Sequence, residues 1–405
     1  MNPALNWNFP PSYRLVPAQA LEARCLKAAE LCRRKGLAGL LLTFNTDVYY
    51  LSGTMQQGAV FVDEQGGLQI FMRRHQERAQ AECPFAVTPV KGYSQIAETL
   101  NELLPKGAKL GLTLDVMPAR EFQGWEGRLP DLDLVDASQP WLEIKGIKDQ
   151  LELEVLSRVG KLSAELYGEL PNILTPDKSE AQAAGEFLTL AMARGAASLI
   201  RARSSYMDMY SWHLVSGPEA AWPSAVDAPF SGVGLWPAFP LGASLKPLKR
   251  HEPIIVDVAV CLEGYATDQT RTYCLGKAPE PLKRAHECLQ AVEMEILERL
   301  KPGAISGEIF EAATNVAEGM GMGECFLGRP GHRIRFVGHG VGMELGAPPY
   351  LLAGSKAEIQ AGQVYALELK IILDQGPVGL ENTVVVNDKG LPTILSPIAN
   401  QLFEL

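Results

Sequence analysis

The run Ile254-Ile255-Val256-Asp257-Val258-Ala259-Val260-Cys261 sets a carboxylate inside an apolar strand. An ionised acid in such surroundings is costly, so the fold must bring something to Asp257 that offsets its charge. Glu263-Gly264-Tyr265 then signals a turn, and residues 266–273 form a second strand of β-branched and aromatic character that carries Asp268. A tight hairpin centred between Leu262 and Glu263 places Asp257 directly opposite Asp268. Two like charges so close repel unless a proton or a cation lies between them, and a metal is the natural answer.

The arrangement recurs nearer the C-terminus. Residues 364–373 read as a strand, Asp374-Gln375-Gly376-Pro377 as a turn and 378–386 as the returning strand. Centred between Asp374 and Gln375, this hairpin sets Glu368 opposite Glu381. A solvated decoration of an exposed sheet face explains one such pair more easily than two pairs from two apolar hairpins. Both registers assume turns without bulges. His339 lies between two glycines in Gly338-His339-Gly340-Val341-Gly342, a backbone able to pack closely against another group. A lone histidine is more often an ordinary core or surface residue, so its claim as a fifth ligand rests on the resemblance below.

Around these hairpins the chain reads as two domains. It has 405 residues, enough for two sizeable cores. Over the first 140 or so residues strands alternate with helices, which implies an α/β domain. Its first helix is expected over 19–35, closing at Gly36. Strands are expected over 37–44, 59–62, 68–72, 109–113 and 132–135, helices over 74–82, 94–104 and 118–127, and a loop over 45–53. An amphipathic helix over 148–168 opens a second unit, with the boundary at 143–147, and further helices are expected over 179–194, 281–300 and 306–319. Residues 214–245 carry five prolines and four glycines, with Trp212, Trp222 and Trp236 in or beside them, and a loop of that length is usually functional or an interface.

The balance of 37 basic against 47 acidic side chains argues against a nucleic-acid partner, which needs a basic face. Seven scattered cysteines without a Cys-x-x-Cys suit reduced thiols in a cytosol. The first residues do not read as a signal peptide, and no run of about 18 to 20 apolar residues offers to span a bilayer. A cytoplasmic protein is the expectation.

As an ordered set, Asp257, the Gly264–Thr272 stretch with Asp268, Gly338-His339-Gly340-Val341-Gly342, Glu368 and Glu381-Asn382-Thr383 resemble the pita-bread metallopeptidases over about residues 145–405. Asn45-Thr46-Asp47-Val48-Tyr49-Tyr50-Leu51-Ser52-Gly53 resembles the creatinase-type N-terminal domain of prolidases and Xaa-Pro aminopeptidases. The resemblance implies a creatinase-like α/β domain over 1–145, followed over 146–405 by a pita-bread fold, an α+β unit with a curved, mostly antiparallel sheet covered by helices. It implies two divalent ions: Asp257, Asp268 and Glu381 on one, and Asp268, His339, Glu368 and Glu381 on the other. Four carboxylates and one imidazole favour Mn²⁺, Fe²⁺ or Co²⁺ over a thiolate-rich zinc centre. Glu368 would move the proton of the attacking water, and Thr270 and Thr383 would orient ligand oxygens. The implied activity is hydrolysis of small peptides or amides, most like an Xaa-Pro aminopeptidase or dipeptidase, by a homodimer.

The chain also departs from that pattern. Peptidases of this fold usually carry a histidine seven positions after the metal-binding one, where this chain has Gly346. Another usually lies four positions before it, where Arg335 stands, and a third upstream, where Ser224 stands. His332 and His213 are neighbouring substitutes, and Arg335 offers a planar fork to a substrate carboxylate. Alternatively, His332 and Arg335 are plain surface residues. Trp222 and Trp236, with Ser224, are the candidates for substrate contact from the 212–245 stretch, which is expected to form an apolar wall, a lid or a dimer contact. The departures leave two other classes open, a metal-dependent lyase or other small-molecule amidohydrolase and a binding-only relative.

Overall fold

A computed structural model describes residues 8–203, 212–224 and 226–405, with Trp212 described in its backbone alone. The chain divides into two compact units, Met1–Lys145 and Gly146–Leu405.

In the first unit, the stripe Leu21, Cys25, Ala28, Ala29 and Cys32 is buried on a helix spanning Ala18–Lys35. That helix stops where Gly36 turns left-handed. The strands β1 (Gly39–Leu42), β2 (Gly58–Asp63), β3 (Leu68–Met72), β4 (Val87–Pro89), β5 (Lys109–Leu112) and β6 (Asp133–Asp136) form one mixed sheet in the order β4-β3-β2-β1-β5-β6. Leu41, Phe61, Phe71, Leu110 and Leu112 from the sheet pack against Ile96, Leu100 and Trp125 from helices Tyr93–Leu103 and Ala119–Arg128.

The expected loop over 45–53 is instead a helix, Asn45–Ser52, closed by Gly53. Tertiary contacts override its polar composition: Val48, Tyr50 and Leu51 are buried, and Asp47 is enclosed with Lys145 Nζ 2.8 Å from its Oδ1. Ser52 Oγ also donates to Val48 O.

The second unit opens with helix Gln150–Tyr167, begun by a reciprocal capping box between Asp149 and Glu152. Strands β7 (Trp212–Ser216), β8 (Pro253–Leu262) and β9 (Tyr265–Cys274) run antiparallel, and the final strand of the chain, β17 (Phe403–Glu404), pairs parallel to β9. A five-stranded antiparallel sheet takes β10 (Phe336–Gly340), β11 (Ala347–Leu352), β12 (Val364–Ala366), β15 (Thr383–Val385) and β16 (Thr393–Ile394) in the order β11-β10-β12-β15-β16. The ribbon β13 (Leu369–Leu373) with β14 (Gly376–Leu380) lies against helix Glu280–Arg299. Leu289, Val292 and Ile296 of that helix share a core with Leu369, Ile371 and Val378. Among the described residues no helix is long and apolar enough to cross a membrane.

The β8–β9 register differs from expectation by two residues. The turn is the pair Glu263-Gly264, with φ of 53° and 84°, the doubly left-handed backbone of a tight hairpin turn. Asp257 therefore faces Thr270 and Asp268 faces Ala259, so the two aspartates are diagonal neighbours. Because side chains alternate with a period of two, a two-residue slip keeps both acids on one face. In the second hairpin Leu369 pairs with Leu380 around an Asp374-Gln375 turn, as expected, and the ladder ends one residue short of Glu368 and Glu381.

Arg271 ties the two ribbons together. Fully buried, it donates to Thr270 O, Glu381 O, Ile398 O and Ala399 O and to the side-chain oxygens of Asn382 and Asn400, at 2.7–2.9 Å. The amides of Asn382 and Asn400 in turn donate to Glu293. Loss of this guanidinium strands buried carbonyls and an acid together, so Arg271→Ala is expected to lower unfolding free energy in urea by about 3–5 kcal/mol. Arg271→Lys, with three donors in place of five, should recover only part of that loss.

Candidate metal centre

The two hairpins deliver their acids to one enclosed place, and a lysine arrives with them. Lys370, on β13, is 0% exposed. Its Nζ lies 2.8 Å from Glu381 Oε2, 3.0 Å from Glu368 Oε1 and 3.5 Å from Asp257 Oδ2. Burial works against the ammonium, but Asp257, Glu368 and Glu381 together hold its pKa well above the ordinary lysine value. The second strand therefore brings its own cation to the acids. The sequence signal was a lysine inside the apolar run Leu369-Lys370-Ile371-Ile372-Leu373, the mirror image of the buried aspartate in β8.

His339, Asp268 and Glu381 form a second grouping. His339 Nε2 lies 3.9 Å from both Asp268 Oδ2 and Glu381 Oε1. His339 Nδ1 is 3.2 Å from Gly340 O, a contact that places the ring proton on Nδ1 and leaves the Nε2 lone pair toward the acids. Burial lowers the His339 pKa, favouring the neutral ring. Burial raises Asp268 well above the usual carboxylate range, followed by the charges of Glu381, Asp257 and Glu368. Glu381 is pushed up to about 7 by burial and then by Glu368. Its Oε1 is buried with no hydrogen-bond partner, while its Oε2 accepts from Thr270 Oγ1 at 2.7 Å and from Lys370.

The ligand atoms thus fall into two sets, Asp268 with His339 and Glu381, and Asp257 with Glu368 and Glu381. Within each set they lie within 4.8 Å of one another. A divalent ion fits the first set, which offers an imidazole lone pair, a carboxylate and the orphaned Glu381 Oε1. It does not fit the second as the side chains stand, because the ammonium of Lys370 already occupies the space among those three oxygens. Glu368 is grouped with Asp257 rather than with His339.

Other expected residues separate clearly. Thr270 reaches a ligand oxygen, whereas Thr383 Oγ1 bonds the backbone N and O of Asp268 at 2.8 Å, orienting the chain rather than the carboxylate. His213 faces Asp257 across the β7–β8 ladder, and its Nε2 is buried without a hydrogen-bond partner. Burial lowers the pKa of His213 against the pull of Asp257, so the ring is neutral. His332 and Arg335 are exposed. Trp222 and Trp236 stand 56% and 63% exposed, and the side chain of Trp212 lies outside the described residues. Ser224 is half-buried, with its Oγ lacking a partner. Among the described residues, an aromatic of this stretch that reaches the centre is one the sequence did not single out. Phe230 is buried, with its ring 5.8 Å from Lys370 Nζ and 6.0 Å from the His213 ring.

The chain matches the model of metallopeptidase family M24 over residues 154–388, more than half its length, and that of the creatinase/prolidase N-terminal domain over 24–145. It is 23% identical to a probable dipeptidase PepE of Mycobacterium tuberculosis, over 94% of this chain and 96% of that protein. It is 21% identical to an Xaa-Pro dipeptidase of Pyrococcus furiosus, over 91% of this chain and 97% of that protein. The solved structure of an Xaa-Pro dipeptidase from Bacillus anthracis superposes with a TM-score of 0.80 at 20% identity, covering 95% of this chain and all of that one. Mixed α/β architecture, a mostly antiparallel catalytic sheet and a buried carboxylate–histidine cluster accord with these matches, and the family implies divalent metal. The chain belongs to metallopeptidase family M24, joined to a creatinase/prolidase-type N-terminal domain, and is a hydrolase.

Proposed function

We propose that this chain is a metal-dependent peptidase of small peptides, most like an Xaa-Pro dipeptidase or aminopeptidase. The observation that carries the reading is the buried set Asp268, His339 and Glu381, with a neutral imidazole and an orphaned carboxylate oxygen converging on one point. The names of the relatives support the substrate class. When bound, a divalent ion supplies Lewis-acid polarisation of a carbonyl and acidifies water. The oxygen-rich donor set favours Mn²⁺, Co²⁺ or Fe²⁺ over Zn²⁺.

The remaining roles fall to the protein's own groups. Glu368, 3.0 Å from the Lys370 ammonium, takes the proton of the attacking water and returns it to the leaving nitrogen. Lys370 and Thr270 fix Glu381 through its Oε2 and leave Oε1 for the ion. His213 supplies a neutral imidazole beside Asp257, in place of the histidines replaced by Arg335, Ser224 and Gly346. Exposed Arg335 offers its fork to the terminal carboxylate of a dipeptide. The two compact units serve as the creatinase-type and catalytic domains. Seven unpaired cysteines suit a cytoplasmic protein, and a homodimer accords with the family resemblance.

Release of proline from Xaa-Pro dipeptides, in Mn²⁺ and again after chelation, tests the reading. Metal-dependent release supports it, and a metal-loaded protein that cleaves no peptide across a dipeptide panel overturns it. Asp268→Asn is expected to lower bound metal and to cut kcat/KM by roughly 10²–10³, the equivalent of a few kcal/mol at the barrier. His213→Phe should leave metal content unchanged and lower kcat by roughly 10²-fold, as expected for a lost proton-handling or carbonyl-polarising group.

A further inference from the structure

We infer that Lys370 stands in for one of the two metal ions of the implied dinuclear pattern, so that the centre holds a single divalent ion at Asp268, His339 and Glu381 beside a built-in ammonium. The position of that ion rests on the functional reading above, while the ammonium's place is independent of it.

Three features of the lysine carry the inference. Its nitrogen touches all three acids of the second set, Asp257, Glu368 and Glu381, at 2.8–3.5 Å, which is how an ion shared by them would sit. Its stem has a slot made for it. A β-carbon at Gly379, its cross-strand partner, would come within 2.7 Å of Thr270 Cγ2 and 2.8 Å of Lys370 Cδ, so glycine leaves room for both side chains. The residue is also held in place, since the β13–β14 ladder fixes its backbone, Leu327 N donates to its carbonyl at 2.9 Å, and the ring of Phe230 lies beside the ammonium.

The charge balance accommodates this. Four carboxylates and one ammonium leave three negative charges; one divalent ion reduces that to a single negative charge, whereas a second would bring the total to a single positive charge and would have to sit against the buried ammonium. The chain has therefore exchanged a dissociable cation for a covalently attached one. Its metal requirement should be halved, and its second position should not vary with metal supply.

The test counts metal without substrate. Metal-stripped full-length protein is re-equilibrated with Mn²⁺, and bound metal is measured by elemental analysis alongside the electron paramagnetic resonance spectrum. The expected result is one Mn²⁺ per chain with an uncoupled six-line signal. Asp268→Asn should weaken Mn²⁺ binding by more than about 100-fold, and Asp257→Asn by at most about 10–100-fold, the lesser cost of an outer partner. Lys370→Met, which keeps the stem and removes the charge, should take a second equivalent. Two equivalents with a spin-coupled signal in the wild type, none at all, equal losses from the two aspartate variants, or a folded Lys370→Met that still takes one would each overturn the inference. If Lys370→Met fails to fold, the wild-type count and the aspartate pair still decide. A chain that binds one ion but cleaves no peptide defeats only the functional reading.

Discussion

Four carboxylates enter one water-poor space from two separate ribbons, and the rest of the catalytic unit is arranged around tolerating that. An isolated anion there would shed its charge by protonation, as the raised pKa values of Asp257, Asp268 and Glu381 indicate, with burial the leading cause in each. Lys370 relieves part of the strain by contacting Asp257, Glu368 and Glu381 at once. What it leaves uncompensated is local to Asp268 and the free oxygen of Glu381, where His339 presents a lone pair. Charge, rather than shape alone, thus divides the cluster into a half that holds its own cation and a half that waits for one.

Such a cluster needs a rigid frame, because the 2.8–3.5 Å contacts of Lys370 that offset repulsion among the acids weaken as they lengthen. The frame is made of hydrogen bonds that ignore the carboxylates themselves. Arg271 grips the carbonyls of Thr270 and Glu381 and thereby locks β9 to the segment Glu381-Asn382 that leads into β15. Thr383 clamps the backbone of Asp268 from the same side. Glu293, reaching in from helix Glu280–Arg299, offsets the buried guanidinium through the amides of Asn382 and Asn400. Rigid backbone then aims side chains that would otherwise move apart.

Likeness of fold to a solved Xaa-Pro dipeptidase extends over nearly the whole chain, and the groups that stand beside the acids of this chain include Lys370 and His213. Arg335, Ser224 and Gly346 stand where the family resemblance leads one to expect histidines, while His213 is presented from β7 beside Asp257. Fold is shared because it depends on apolar pattern and turn chemistry; activity depends on a few polar groups that can be exchanged on the same frame.

Much of this was legible in the linear order of residues. Apolar stripes marked the helices Ala18–Lys35, Gln150–Tyr167 and Glu280–Arg299, and apolar runs broken by single acids marked the strands that carry the site. Their signals are local, since helical and strand periodicity record burial directly. The helix Asn45–Ser52 was missed because its stability comes from burial of Asp47 against Lys145, 98 residues away. The β8–β9 register was misplaced by two because Glu263 adopts a left-handed backbone that its residue type does not announce.

By itself the sequence determined that acids would converge on one sheet face, since a period of two survives such a slip. Only the tertiary structure decided that Lys370 and His213 stand beside them, and that His332, Arg335, Trp222 and Trp236 are exposed. The reason is that long side chains declare a direction only once the surrounding walls exist, here Phe230 above the ammonium and the bare backbone of Gly379 beneath its stem.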